Sequence, residues 1–263
     1  MYEIIQLNES SLEELVEVIN NSFSDYVLKI KLTELQLKNK LESVQANLTY
    51  SFGALYEGKL VGFIINATDD SLAYNVMSGV VPSHRRKGVY TQMFDATISF
   101  FSLYGIDTYQ LEVLQSNEEA IKLYTRMGFE KTVSYACFRG NVANQGISDN
   151  VRVNLGSKSD ELSYLWHFDP SFSNMHYNVN EHKTYRIEKQ SIEAFITVST
   201  TGGVRHFGYN DKSQFVELLT HVSSIHDTLI INNIDCNSHE VIECLIELGF
   251  DLYMRQFQME LHV

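Results

Sequence analysis

The sequence predicts a mixed α/β fold laid out twice along the chain, and three observations carry that expectation. Segments with strand-like patterning interleave with segments whose apolar residues recur at helical spacing, in the order β-α-α-β-β-β-α-β-α-β over the first 140 residues. The stretch "YTRMGFEKTVSYACF" (124–138) aligns with "LIELGFDLYMRQFQM" (245–259) when Gly128-Phe129 is laid on Gly249-Phe250, an offset of 121 residues. Between the two copies the periodicity breaks at Asn141, Asn144, Gly146, Asn150, Asn154 and Gly156. These residues set a boundary that divides the chain into domains 1–144 and 145–263.

Residues 2–7 read as a strand, and Ser10 or Ser11 then caps a helix, with Glu13 and Glu14 three positions on. Leu12, Leu15, Val16, Ile19 and Phe23 form its apolar stripe, and a second helix covers 33–41. Strands follow over 48–56, 60–67 and 72–81, the first two joined through Glu57-Gly58-Lys59. A helix over 89–104 ends at Gly105, and 109–114 is a strand. The helix over 118–127 stops at Gly128, and 132–138 is again a strand. In the second domain a short helix is expected around Leu162, Leu165 and Trp166. Strands over 194–199 and 204–208 come next, then a helix capped by Asp211 and carrying Phe215, Leu218, Leu219 and Val222. A strand over 228–234, a helix over 239–248 and a strand over 252–261 complete the pattern.

Composition narrows the function classes. The chain of 263 residues carries a net charge of −13, and both halves are acidic. Nucleic-acid or anionic-membrane binding would need an extended basic face, so neither partner is expected. No stretch of about 18 apolar residues is present, which excludes a spanning helix. Met1 to Gln6 lacks the pattern of a secretory leader. Cys137, Cys236 and Cys244 are widely spaced and odd in number, which points to a reducing cytoplasm rather than a disulfide framework or zinc site. His221 and His226 are five apart, so they fall on different helix faces and form no metal pair; no metal is expected. The acidity suits a cationic amine substrate as well as plain solubility.

Against this acidic background stands "VPSHRRKGVY" (81–90), with three consecutive basic residues, Arg85, Arg86 and Lys87, before Gly88. It lies between a strand and a helix. Helix N-termini present N–H groups and a partial positive charge, and glycine lets an anion approach the backbone. The turn is therefore a candidate phosphate site, unless the basic triplet is only a solvated turn.

The spacing Arg85-x-x-Gly88-x-Tyr90 resembles the R/Q-x-x-G-x-G/A signature of the GNAT superfamily of N-acetyltransferases. Two of its three positions match, and Tyr90 stands where the family has Gly or Ala. A second motif follows, "LEVLQSNEEAIKLYTRMGF" (111–129), which is similar to the fifth strand and fourth helix of the family at every position of L-E-V…N-x-x-A-x-x-L-Y-x-x-x-G-F. The resemblance covers 1–140 and extends faintly over 185–263. It implies a mostly antiparallel central sheet flanked by helices, followed by a smaller, degenerate GNAT-like domain.

It also implies acetyl-CoA as cosubstrate, held by Val80, Val81, Arg85, Arg86, Lys87, Gly88, Val89, Tyr90, Thr91, Asn117 and Ala120. Tyr124 matches the tyrosine that protonates the departing thiolate; packing between helix and sheet is the alternative. Backbone N–H groups near Val80 and Val81 would face the oxyanion. Glu112 resembles a family base, with a structural glutamate or a water chain as alternatives. Asp25, Tyr26, Tyr74 and Asn75 are candidates for the acceptor side. The implied reaction is N-acetylation of a small-molecule amine or a peptide N-terminus. The rival is an acyl-CoA-binding sensor without turnover.

The second domain keeps no such turn. "NDKSQ" (210–214) has no glycine, and Leu245 replaces the phenol of Tyr124. That domain is expected not to bind CoA, and to cover the acceptor cleft or pair sheets within the chain or in a homodimer.

Overall fold

The computed structural model describes residues 1–25, 31–142, 149–154, 167–168, 182–189 and 191–263. The short helix expected around Leu162, Leu165 and Trp166 lies outside them, as does Tyr26. The contacts divide the chain into two compact units that interleave in sequence. Unit 1 comprises Met1–Glu112, Gly128–Glu130 and Met259–Val263; unit 2 comprises Val113–Met127 and Lys131–Gln258.

Unit 1 begins with strand β1 (Glu3–Gln6) and helix α1 (Leu12–Ser22). Ser11 and Glu14 close a reciprocal capping box at its start, an arrangement that stabilises a helix by about 1 kcal/mol. Helix α2 (Glu34–Ser43) has the same device in Thr33 and Gln36. Strands β2 (Phe52–Tyr56), β3 (Lys59–Asp69) and β4 (Leu72–Val80) follow. The β2–β3 connection has two residues, Glu57 at φ 52° and Gly58 at φ 74°, with Tyr56 opposite Lys59. Both left-handed positions match the twist of a tight hairpin. Residues 48–50, expected as strand, form a 3-10 turn instead. The reason is local: the Asn47 side chain accepts from Thr49 N, and Asn47 N donates to Asn66 O. Helix α3 (Val89–Leu103) and strand β5 (Thr108–Leu114) come next, and the strand order is β1-β2-β3-β4-β5.

Two apolar layers flank this sheet. Leu7, Leu15, Val18, Ile19, Leu37 and Leu41 pack with Phe63 and Ile65 on one face. On the other, Tyr109 is ringed by Phe94, Phe101 and Phe129, with centroids 5.0–6.5 Å away. A polar chain is buried beneath them. Asn75 Nδ2 donates to Tyr109 Oη (2.9 Å), and Tyr109 Oη donates to Asn66 Oδ1 (2.7 Å).

Unit 2 contains most of helix α4 and strand β6 (Glu118–Arg126 and Glu130–Gly140), then β7 (Val151–Asn154), β8 (His167–Phe168), β9 (His182–Glu188), β10 (Ile192–Ser199) and β11 (Gly203–Tyr209). Helix α5 (Lys212–Ser223), β12 (Leu229–Asp235), α6 (His239–Glu247) and β13 (Asp251–His262) as far as Gln258 complete it. Its strands run β13-β6-β12-β11-β10-β9-β7, with β8 paired to β11. The core gathers Phe207, Phe215, Leu218, Val222, Ile231, Val241 and Leu245.

The repeat is borne out in the elements. Strand β12, helix α6 and the start of β13 (Leu229, His239, Asp251) each lie 121 residues after the starts of β5, α4 and β6 (Thr108, Glu118, Glu130). The pairing repeats as well: β4 runs parallel to β5 as β11 does to β12, and β3–β4 is an antiparallel hairpin as β10–β11 is. The closing strands are exchanged. Within unit 2, β6 pairs with β12. Within unit 1, Val263 N donates to Asp107 O, and Gln110 Nε2 donates to Glu260 Oε2.

Candidate active site

Strand β4 loses its β5 partner before it ends, while it stays paired to β3. Ile65 lies opposite Met77 but Asn66 opposite Asn75, so Val76 is an extra residue, a β-bulge in β4. The parallel ladder to β5 covers only Leu72–Tyr74 against Thr108–Gln110 and stops at the bulge. Beyond it, Val81 N donates to Val61 O across the hairpin. Alternation along an antiparallel ladder then turns the backbone N–H and C=O of Ser78 and Val80 away from β3. An extended ligand carrying amide groups would find hydrogen-bonding backbone along this edge.

At the end of β4 lies the basic turn. Pro82–His84 make one 3-10 turn, Arg86 sits at φ 59° and Gly88 at φ 75°. Alternation of φ over 86–88 is the backbone pattern that brings successive N–H groups to one side as an anion-binding nest. Helix α3 starts at once, with Gly88 as its N-cap and no side chain capping it. A Cβ added at Gly88 would meet nothing nearer than Gln92 Nε2 at 4.0 Å, so the space over the turn is open. Arg86 and Lys87 are exposed beside it. An uncapped helix start, open space and exposed cations together fit a diphosphate.

The matching station of unit 2 is built the other way. Asp211 caps α5, accepting from Ser213 N at 2.8 Å and from the Ser213 hydroxyl, while Gln214 reciprocates. The Ser213 hydroxyl, and then its N–H, hold the Asp211 carboxyl below its usual pKa. A fixed negative charge on those N–H groups repels a phosphate. Strand β11 also carries a bulge, at Arg205, but its residues beyond the bulge, Phe207 and Gly208, pair with β8.

Residues 12–129 match the model of the acetyltransferase (GNAT) family, somewhat under half of the chain. That stretch resembles the GNAT family. Among solved structures, a protein of Pyrococcus horikoshii assigned to the acetyltransferases aligns over 100% of this chain and 89% of its own, at 12% identity and a TM-score of 0.76. A GCN5-related N-acetyltransferase from Sphaerobacter thermophilus covers 99% and 95% at 9% identity and 0.72. A tandem GNAT protein from the clavulanic acid biosynthesis pathway covers 100% and 98% at 11% identity and 0.69. The whole chain therefore has the fold of a tandem GNAT protein. No curated protein matches at the level of sequence.

Several residues of the GNAT region stand elsewhere than their motif suggests. Tyr90, at the family's Gly/Ala position, turns its phenol onto β4, where Oη lies 3.3 Å from Ser78 Oγ. Val81 N–H, expected to face the oxyanion, is instead taken by Val61 O. Asn75, expected at the acceptor, instead points to Tyr109 on the α3 face, because it lies just before the bulge and shares its face with buried Ala73. Tyr74 falls on the opposite face with Val76, which packs on the α1–α2 cluster. Asp25 forms a two-point ion pair with Arg85 (2.8 and 2.9 Å).

Strand β5 alternates, with Tyr109, Leu111 and Val113 buried on one face and Glu112 half-buried on the other. In unit 2, Asn117 Oδ1 accepts from Ala120 N and so caps α4, on which Tyr124 is half-buried. Sequence reasoning missed Ser78, Gly79 and Ser22. A glycine inside a strand signals close backbone approach, and here a Cβ on Gly79 would lie 3.0 Å from Ser22 Cβ at the end of α1. Among the described residues no group of His, Cys, Asp and Glu is arranged to hold a metal. Nor, among the described residues, is any helix long and apolar enough to cross a membrane.

Proposed function

We propose that the protein is an acetyl-CoA-dependent N-acetyltransferase acting on the primary amine of a small molecule or peptide N-terminus. The observation that carries this reading is the uncapped start of α3 at Gly88, immediately after a strand whose ladder to β5 ends at Tyr74/Gln110. Gly88, Val89 and Thr91 would offer backbone N–H groups to the diphosphate, and Arg86 and Lys87 their charge. The edge of β4 at Ser78 would hold the amide-bearing arm. Acetyl-CoA supplies an activated thioester when bound.

The chain's own residues serve the acyl transfer. Val80 N–H donates to the oxygen on which negative charge develops, from a strand that needs no rearrangement. Tyr124 gives a proton to the departing sulfur, a role assigned from its place in the 111–129 motif. Glu112, through its own carboxylate or a water, receives the proton of the attacking amine. Tyr74 lines the acceptor side. Domain 145–263 binds no coenzyme, a reading that Asp211 at the start of α5 supports.

The test is release of free thiol when the protein is mixed with acetyl-CoA and a panel of amines, amino acids and polyamines. Thiol release that depends on one amine class supports the reading. Coenzyme binding without release for any acceptor would favour the sensor instead.

A further inference from the structure

Arg85 is the first residue of the coenzyme signature, yet its side chain is occupied within the protein. A guanidinium has five N–H donors. Nε donates to Val80 O (3.0 Å), one Nη donates to Ser22 O (2.7 Å) and Asp25 Oδ1 (2.9 Å), and the other to Asp25 Oδ2 (2.8 Å). Four of the five donors are placed, on three separate pieces of unit 1. Val80 is the last residue of β4, Ser22 the last of α1, and Asp25 follows α1. The cation also sits at the C-terminal end of α1, where the helix carbonyls carry partial negative charge.

We propose that Arg85 is a positioning residue rather than a phosphate ligand, and that Asp25 is its obligatory partner. Together they form a strut that fixes the end of β4 against the end of α1. The strut holds the carbonyl of Val80, so it sets the backbone from which the Val80 N–H is offered and from which the turn to Gly88 departs. Gly79 lets α1 pass close enough for the strut to reach. Asp25 is thereby removed from the set of groups that recognise a cationic acceptor. This inference rests on the acetyl-CoA reading above.

The experiment uses the full chain and four variants: Arg85→Gln, Arg85→Lys, Asp25→Asn and the double Arg85→Gln/Asp25→Asn. Binding of coenzyme A is measured by calorimetry, and thermal stability alongside. A strut predicts that Asp25→Asn weakens coenzyme binding by about three- to tenfold, as Arg85→Gln does, and that the double variant is no worse than the worse single. It also predicts that Arg85→Lys fails to restore affinity, because a point charge cannot bridge two carbonyls and a carboxylate. Two results would overturn it: tighter or unchanged binding in Asp25→Asn, or full affinity in Arg85→Lys, since lysine serves well as a phosphate ligand. Absence of coenzyme binding in the unaltered protein sinks the functional reading instead. The strut then stands or falls on whether the two single changes are coupled in thermal stability.

Discussion

Gly88 and Asp211 hold the same station in the two copies of the fold, each the N-cap of the helix that follows a bulged strand, and they are opposite in character. Gly88 leaves the helix start bare and reachable; Asp211 covers it with a carboxylate of the protein's own. One copy is thereby open to an anion and the other closed to it, while the backbone course is retained.

The first prediction tests this contrast. Gly88→Asp should abolish coenzyme A binding in calorimetry, since it brings to α3 the charge that Asp211 brings to α5. Gly88→Ala should bind more weakly and lose about 1–2 kcal/mol of stability, because φ of 75° is left-handed. Steric clash contributes nothing there, as the space is open.

Asp211 itself should show in the acid limb of stability. Its folded pKa lies below the ordinary carboxylate value of 3.8 because Ser213 hydrogen-bonds the ionised form. A depressed pKa contributes stability that is present above the unfolded value and is lost as pH falls through the folded one. Asp211→Ala should therefore lower the melting temperature at neutral pH, and the deficit should shrink as pH falls below the usual aspartate range. A deficit constant across that range would contradict the assignment.

Tyr124→Phe should reduce kcat by about 10²–10⁴-fold while leaving the affinity for coenzyme A unchanged, the pattern of a lost general acid. An unaltered rate would remove Tyr124 from the chemistry.

Tyr90→Phe should change coenzyme binding by less than about twofold, because the phenol is directed to Ser78 through a long contact of 3.3 Å. Tyr90→Gly, which restores the family pattern, should give little further gain.

Tyr109→Phe should destabilise unit 1 by about 1–3 kcal/mol, since it removes the hydroxyl that joins buried Asn75 and Asn66. Its activity per folded molecule should stay close to that of the unaltered protein. If activity falls with stability intact, Asn75 has a role beyond the buried chain.

Much of this architecture was legible in the residues. Ser11 with Glu14, Asp211 before an apolar periodic run, and the glycines at 88, 105, 128 and 249 mark element ends by local chemistry, and local chemistry reads from local sequence. The 121-residue repeat was legible because a helix stopping at glycine before an apolar strand recurs with the same phase. What did not read was non-local. The bulge at Val76 has no residue signature. The partner of Arg85 lies 60 positions away, so a basic triplet looks alike whether it meets phosphate or aspartate. Tyr74 and Asn75 were both candidates for the acceptor side, but neighbours along a strand face opposite sides, and which side each takes is set by the sheet rather than by the residue. Residues 48–50 carry β-favouring side chains, but the Asn47 amide overrides that preference within three residues.

The exchanged closing strands govern the timing of assembly. Glu260 meets Gln110 across 150 positions of chain, so the first unit cannot finish its edge until the second has been almost wholly synthesised. A contact so distant in sequence is entropically slow to close. During synthesis the early half must wait with an open strand border, and shortening the gene at the apparent boundary would leave that border permanently exposed to sticky self-association.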